Sequence, residues 1–129
     1  MLFGGGEVDE PELGRVIWAD VVDPQGRPAG EHAAIILTTK AEYAAGQPIK
    51  AVVISSKLHL GTPGAMVMMK HLKRERGHPR TGLTKKCAAM CNRIVSVEES
   101  DIRRYCGLIY GKDLEEILKC IRVSQQQST

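Results

Sequence analysis

The residues of this chain best suited to chemistry are basic ones, and they are concentrated between Lys70 and Arg93. That segment has eight basic residues and one acid, Glu75, in a chain whose formal net charge is only +3. The basic residues are Lys70, Lys73, Arg74, Arg76, Arg80, Lys85, Lys86 and Arg93. Because cations that neutralise phosphates release bound counterions, such a segment favours a nucleic acid as its partner. A solvated basic loop that keeps a sheet edge soluble would have the same composition.

Cysteine and histidine are the other reactive side chains, and the spacing of the cysteines argues against a metal site. Cys87 and Cys91 lie four residues apart in a predicted strand, whereas Cys106 and Cys120 are far apart in sequence. A structural zinc site ordinarily uses two close pairs of ligands. We therefore expect no metal and no cofactor, and reduced cysteines that pack as small hydrophobic side chains.

The length and composition are those of one small globular domain. The chain has 129 residues, of which 43% are hydrophobic and 26% are charged, and this is enough for one ordinary core. The sequence has no apolar run near the roughly 20 residues that cross a bilayer. Its first residues lack the basic and apolar regions of a secretion signal. These features predict a cytoplasmic protein with no membrane partner.

The elements that must position the basic segment are predicted to be five strands followed by one helix. Apolar and β-branched runs predict strands over residues 14–22, 32–38, 49–56, 65–70 and 87–97. The second of these is apolar throughout and is expected to be buried on both faces. The predicted architecture is a small, curled antiparallel sheet closed by one helix.

The carboxy-terminal third of the chain changes from strand-like to helix-like periodicity. A short helical turn is predicted over residues 100–107, ending at Gly107. Asp113 and Glu116 then resemble a capping box, and the following helix has apolar residues at the spacing of one helix face. The domain is predicted to span residues 14–123, between a loose tail of residues 1–13 and a polar tail of residues 124–129.

Several short motifs follow one another in a definite order along the chain. They are residues 14–18 in the first strand, 32–38 in the second, 52–56 in the third, 81–87 before the fifth, and Gly107 with the final helix. Together they resemble the MazF/PemK family of toxins from bacterial toxin–antitoxin systems, over about residues 14–121. The resemblance implies an SH3-like barrel of about five to seven antiparallel strands with a carboxy-terminal helix, as in CcdB, MazF and PemK proteins.

The resemblance also implies a function. Family members are mRNA interferases, which are metal-independent, sequence-selective endoribonucleases that cleave single-stranded RNA. They act as homodimers in the cytoplasm and bind a cognate acidic antitoxin. Cleavage without metal makes the 2′-hydroxyl attack the adjacent phosphorus and leaves a 2′,3′-cyclic phosphate, so it requires a base, an acid and fixed positive charge.

The resemblance places three candidate catalytic residues. His32 stands where the family has Arg, Ser55 stands at a family Thr or Ser, and Arg27 lies where it would restore the missing fixed charge. Histidine exchanges protons near neutral pH, so His32 can act as base or acid. The alternatives are a strand histidine that is satisfied by the backbone, and Ser56 facing the site in place of Ser55 after a one-residue shift of register.

RNA contacts are expected from polar residues of the basic segment and its neighbours. They are Lys57, Arg80, Thr81, Lys85, Lys86, Asn92 and Arg93. Only Tyr43 among the few aromatic residues lies in a predicted free loop, which is too few for a base-stacking surface.

Two other functions remain open. Met90 and Asn92 replace an Arg and an Asp that some family members use, which favours a catalytically weakened or inactive member that binds RNA or antitoxin. Because a fold does not fix a target, a CcdB-like protein that acts on gyrase or DNA is the third possibility.

Overall fold

The strands and helices were assigned in a computed structural model, which describes residues 10–22 and 25–127. In chain order the elements are β1 (Arg15–Val22), β2 (Pro28–Ile36), α1 (Lys40–Ala44), β3 (Ile49–Ser55), β4 (Met66–Met68), β5 (Ala88–Val97), β6 (Ile102–Leu108) and α2 (Gly111–Gln127). Short 3-10 turns at Leu58–Leu60 and Glu99–Asp101 precede β4 and β6. Within the described ranges, neither helix is long and apolar enough to cross a membrane.

All six strands form one sheet in the order β4-β5-β3-β2-β1-β6. Every neighbouring pair is antiparallel. β1 contacts β5 directly although β2 and β3 lie between them in the sheet, so the sheet is strongly curled. The predicted fold class, an antiparallel sheet of five to seven strands with a carboxy-terminal helix, is confirmed.

Both faces of the sheet are buried, which explains why the central strands are almost continuously apolar. One face packs Ile35 and Val52 against Ile117 of α2. The other face gathers Ile17 and Ile36 with residues of neighbouring strands. Residues 33–36 are all buried, as predicted for the second strand. The strand itself begins at Pro28, four residues before its predicted start.

The helical turn predicted over residues 100–107 is wrong, because this segment forms the edge strand β6. It pairs with β1, and Ile102 and Tyr105 pack against the core on one sheet face. Gly107 does not end a helix. A Cβ atom there would lie 2.1 Å from the carbonyl oxygen of Arg80, so glycine allows the basic loop to approach the strand.

The two helices also differ from their predicted forms. α2 begins at Gly111, so Asp113 lies inside its first turn and does not cap it. The helix continues through residues 124–127, which the sequence analysis assigned to a polar tail. The capping box belongs instead to α1, where the Glu42 amide donates to Thr39 Oγ1 at 3.1 Å and the Thr39 amide donates to Glu42 Oε1 at 2.8 Å. Residues 1–9, most of the predicted amino-terminal tail, lie outside the described residues.

Gly107→Ala should destabilise the protein by about 3 kcal/mol, because the new methyl group forces the loop away from β6. That movement would break the hydrogen bond that the Leu108 amide donates to Arg80 O at 2.8 Å. The measurement is thermal or urea unfolding of both proteins. Gly64→Ala is the comparison, since a Cβ there meets no atom within 4 Å and only its positive φ of 84° should cost stability, about 1 kcal/mol. An equal loss of stability in both variants would contradict the close-approach explanation.

Candidate functional site

A groove of about 510 Å³ lies between one face of the sheet and the loop that follows β4. Its floor is a row of four residues that are in register across β6, β1, β2 and β3: Arg104, Trp18, Ala33 and Ile54. Residues 82–85 of the loop form the opposite wall. The curl of the sheet and the fold of the loop together create this concave surface.

The loop wall is held in place by its own hydrogen bonds. Thr81 is buried, and its hydroxyl donates to Lys70 O at 2.7 Å and accepts from the Leu83 amide at 3.1 Å. Gly82 has a φ of 72°, and a Cβ atom there would lie 2.3 Å from Cys106 O. The Thr-Gly-Leu motif therefore folds the loop against β6, and the Thr81 hydroxyl is engaged with the backbone on both sides of the loop.

Four basic side chains and one carboxylate line the groove. The cations are Lys57 after β3, Lys85 in the loop, Arg93 on β5 and Arg104 on β6; the carboxylate is Glu31 on β2. All five residues are exposed. Since each cation comes from a different segment, only the folded chain concentrates this charge. The groove has the electrostatics of a site for a polyanion.

His32 belongs to the lining of this groove and is half-buried, in register with Ala19 of β1. Its Nε2 atom lies 3.1 Å from the carbonyl oxygen of Ala29. Because a carbonyl oxygen only accepts, this hydrogen bond places the hydrogen on Nε2 and leaves Nδ1 as the basic nitrogen. His32 is thus both held by the backbone and able to accept a proton.

Ser55 and Ser56, at the end of β3, both line the groove. The Ser55 hydroxyl accepts a hydrogen bond from the Lys57 amide at 3.1 Å, which leaves its own hydrogen free to donate. Of the two serines in the lining, Ser55 is the more buried.

Arg27 does not line the groove. It is exposed in the loop before β2, where its guanidinium lies 3.4 Å from Gln25 Oε1. Arg104 lies on the groove floor and brings a guanidinium into the groove from β6. The sequence analysis did not consider Arg104, because it predicted a helical turn over residues 100–107.

The residues expected to contact RNA fall into two groups. Lys57, Lys85 and Arg93 line the groove, whereas Lys86 is exposed outside its lining. Asn92 also lies outside it and donates to Thr62 Oγ1 at 2.9 Å. The basic segment is therefore not one continuous surface.

Arg80 belongs to a second, smaller pocket of about 190 Å³ beside α2. Its guanidinium lies 3.6 Å from Asp113 Oδ2 and 5.2 Å from the centre of the Tyr110 ring. Lys70 binds the same carboxylate at 3.1 Å. These partners neutralise part of the charge of Lys70 and Arg80 and direct both side chains away from the groove.

Trp18 and Glu31 are groove residues that the sequence analysis did not identify. The Trp18 Nε1 atom donates to Glu31 Oε1 at 2.5 Å, and 36% of the Trp18 surface is exposed. Tyr43, the aromatic residue expected to be free, donates instead to Glu99 Oε1 at 2.6 Å. Because β1 has buried residues on both faces, hydrophobic alternation gives no sign that Trp18 is the exposed one.

The four cysteines are free thiols. Burial raises the pKa of Cys87, and burial together with a hydrogen bond to Cys120 raises the pKa of Cys91 to about 12. Both thiols therefore stay protonated at neutral pH and are poor nucleophiles and poor metal ligands. Among the described residues, no group of three or more His, Cys, Asp or Glu side chains is placed to hold a metal ion.

Comparison with solved structures identifies the architecture. An endoribonuclease from a mycobacterial species, solved in complex with its cognate antitoxin, is similar with a TM-score of 0.67 and 16% identity, covering 91% of this chain and 96% of that one. The Mycobacterium tuberculosis toxin MazF-mt6 is similar with a TM-score of 0.64 and 10% identity, covering 87% and 96%. This chain has the fold of the MazF toxins.

The MazF fold is thus established by structure and not by sequence. No protein-family model matches the chain, and no curated protein is significantly similar to it. Since one fold supports many functions, the activity of this MazF-like chain has to be argued from its groove.

Proposed function

We propose that this protein is the toxin of a type II toxin–antitoxin system and an endoribonuclease that cleaves single-stranded RNA. The observation that carries the proposal is the groove, in which His32 and Ser55 lie among four cations on a MazF fold. The four cations of the groove come from four separate segments of the chain, so a strand that lies in it would meet positive charge from several sides. We further propose that the protein acts in the cytoplasm.

The chemistry that these residues support is attack by the RNA 2′-hydroxyl on the adjacent phosphorus. His32 Nδ1 is free to remove the hydroxyl proton, because Nε2 is engaged with Ala29. Arg104 and Lys85 would stabilise the negative charge that develops on the phosphorane, and Ser55 would donate to one of its oxygens. The P–O5′ bond then breaks, and the imidazolium holds the proton that the leaving oxygen requires.

This route requires no metal ion. The groove lining offers one carboxylate, Glu31, and hard cations prefer several oxygen ligands. The negative charge of the transition state is stabilised instead by the arginine and lysine side chains of the groove, which are positively charged at neutral pH.

Incubation of the purified protein with unstructured RNA should give a limited set of fragments ending in 2′,3′-cyclic phosphate and 5′-hydroxyl groups. EDTA should leave the rate unchanged, and a 2′-deoxy substitution at the cleaved position should abolish cleavage but not binding. Sequencing of the fragment ends measures selectivity. Two results would contradict the mechanism. One is cleavage that requires added Mg²⁺, and the other is cleavage at the position that carries the 2′-deoxy substitution.

A catalytically inactive protein that binds RNA or antitoxin is the second candidate. It is favoured by Met90, which is buried, and by Asn92, which is engaged with Thr62 outside the groove lining. Neither can supply the charge that some relatives place at these positions. Tight RNA binding without any cleavage product in the same assay would select this candidate, and binding to duplex DNA alone would select a CcdB-like function.

We also propose a homodimer and an acidic antitoxin as partners. Met68 at the β4 edge and Tyr110 beside the smaller pocket are about half exposed, and a second copy of the chain would cover them. Sedimentation equilibrium at micromolar concentration should give twice the 14.1 kDa of one chain. Met68→Lys should shift the mass toward the monomer, and an unchanged dimer in that variant would move the interface elsewhere.

A further inference from the structure

We propose that Trp18 and Glu31 form a base-recognition subsite that selects guanine in single-stranded RNA. This inference rests on the proposed function, since it requires RNA in the groove. It goes further by naming the base and the two side chains that select it.

The two side chains are positioned as one unit on the sheet. Trp18 pairs with Ala33 and Asp20 pairs with Glu31, so Trp18 and Glu31 are diagonal neighbours on the same face. The 2.5 Å hydrogen bond from Trp18 Nε1 to Glu31 Oε1 fixes the carboxylate beside the indole. Oε2 and the second lone pair of Oε1 remain available as acceptors. The subsite therefore combines an aromatic surface with a fixed acceptor.

A carboxylate in this groove cannot serve phosphate binding. It repels phosphate oxygens, and the four cations around it already meet the backbone charge. Glu31 can only accept, so what it recognises in RNA must donate. Sequence-specific proteins recognise single-stranded RNA by stacking unpaired bases on aromatic side chains and bonding their edges. Trp18 and Glu31 supply these two contacts to the same base.

Guanine fits a carboxylate better than the other bases do. Its Watson–Crick edge presents two adjacent donors, N1–H and the N2 amino group, which match the two carboxylate oxygens. Adenine, cytosine and uracil each present one donor position beside an acceptor, which a carboxylate repels. The geometry therefore points to guanine stacked on Trp18 with its Watson–Crick edge on Glu31.

Direct binding of single-base variants of one oligonucleotide tests the proposal. The probe is a short, fluorescent oligouridine RNA with one central test base and 2′-O-methyl groups throughout, so that it cannot be cleaved. Replacing guanine by inosine removes only the N2 amino group and should weaken binding about tenfold, the effect of losing one hydrogen bond to a charged acceptor. Replacing guanine by 7-deazaguanine alters the other edge and should change binding less than about twofold.

Variants assign the selectivity to Glu31. In Glu31→Gln the preference for guanine over inosine should fall from about tenfold to about twofold or less, although total RNA affinity rises with the loss of a negative charge. Glu115→Gln on the exposed surface of α2 makes the same charge change and should keep the full preference. Trp18→Leu removes the stacking surface and the hydrogen bond that fixes Glu31, so it should weaken binding of every base and also reduce the preference for guanine.

Results that contradict the base subsite can be distinguished from results that contradict the proposed function. Equal affinity for guanine and inosine, or a preference that survives Glu31→Gln in a folded variant, would overturn the base subsite while leaving RNA binding in place. Failure to bind any of these oligonucleotides would overturn the proposed function and the subsite together. Thermal unfolding of each variant identifies those that are folded.

Discussion

Replacing Lys57, Lys85 and Arg93 together by Ala should weaken RNA binding about 100-fold at 0.1 M salt, with phosphate contacts contributing on the order of 1 kcal/mol each. These three residues and Arg104 are the cations of the groove. If each contacts one phosphate, the log–log slope of affinity against salt should be about −3 for the native protein and about −1 for the variant. Fluorescence anisotropy with a non-cleavable RNA at four salt concentrations measures both quantities.

The control removes the same charge from the other side of the basic segment. Lys70, Lys73 and Arg80 are exposed and do not line the groove, and Asp113 already binds two of them. Replacing these three by Ala should change RNA affinity less than about threefold and leave the slope nearly unchanged. Equal losses in the two triple variants would mean that RNA follows the whole basic segment and that the groove is not its site.

Local sequence signals were sufficient to predict the central strands and α2. Residues 33–36 and 51–54 are apolar and β-branched because both sheet faces are buried there, and this pattern is visible without any partner strand. The periodicity of Ile117 and Ile121 likewise reflects one helix face packed on the sheet. Elements at the centre of the core are therefore predictable from their own residues.

β6 was not predictable in this way, because its stability comes from β1. Its charged Arg103 and Arg104 and its terminal glycine are compatible with a helical turn, and only the unpaired edge of β1 decides in favour of a strand. The error carried over to the site, since Arg104 lies on the groove floor through this pairing. The sequence analysis therefore missed both β6 and Arg104, because both depend on pairing with a strand that is distant in sequence.

The candidate site was predictable only where the family resemblance supplied positions. His32 and Ser55 were placed by their alignment with known motifs, and the structure brings both to one groove. Charge alone assigned Arg80 and Lys85 to the same surface. In the structure, Thr81 and Gly82 turn the loop between them, so the two side chains lie apart. Trp18 and Glu31 come from adjacent strands, so their contact depends on register, which a single sequence does not reveal.

His32→Ala should lower kcat/KM for RNA cleavage by about 10²–10³-fold, the usual contribution of a general base. The native protein should lose activity on acidification, because only a neutral ring accepts the 2′-hydroxyl proton. The variant should lack this inflection. Burial raises the pKa of Cys87 and Cys91, so these thiols stay protonated as the pH is lowered and add no transition of their own.

Two further substitutions separate a proton carrier from a structural histidine. His32→Arg restores the family residue and a permanent charge, but it removes the basic nitrogen, so we expect it to lower activity and to abolish the inflection as Ala does. His59→Ala is the matched control, since His59 is exposed and does not line the groove, and it should keep the native rate and profile. If His32→Arg is instead more active than the native protein, the groove is that of a weakened nuclease that relies on fixed charge. If His32→Ala keeps the native rate and pH profile, the hydrogen bond to Ala29 is the only role of His32, and the base must be sought elsewhere in the groove.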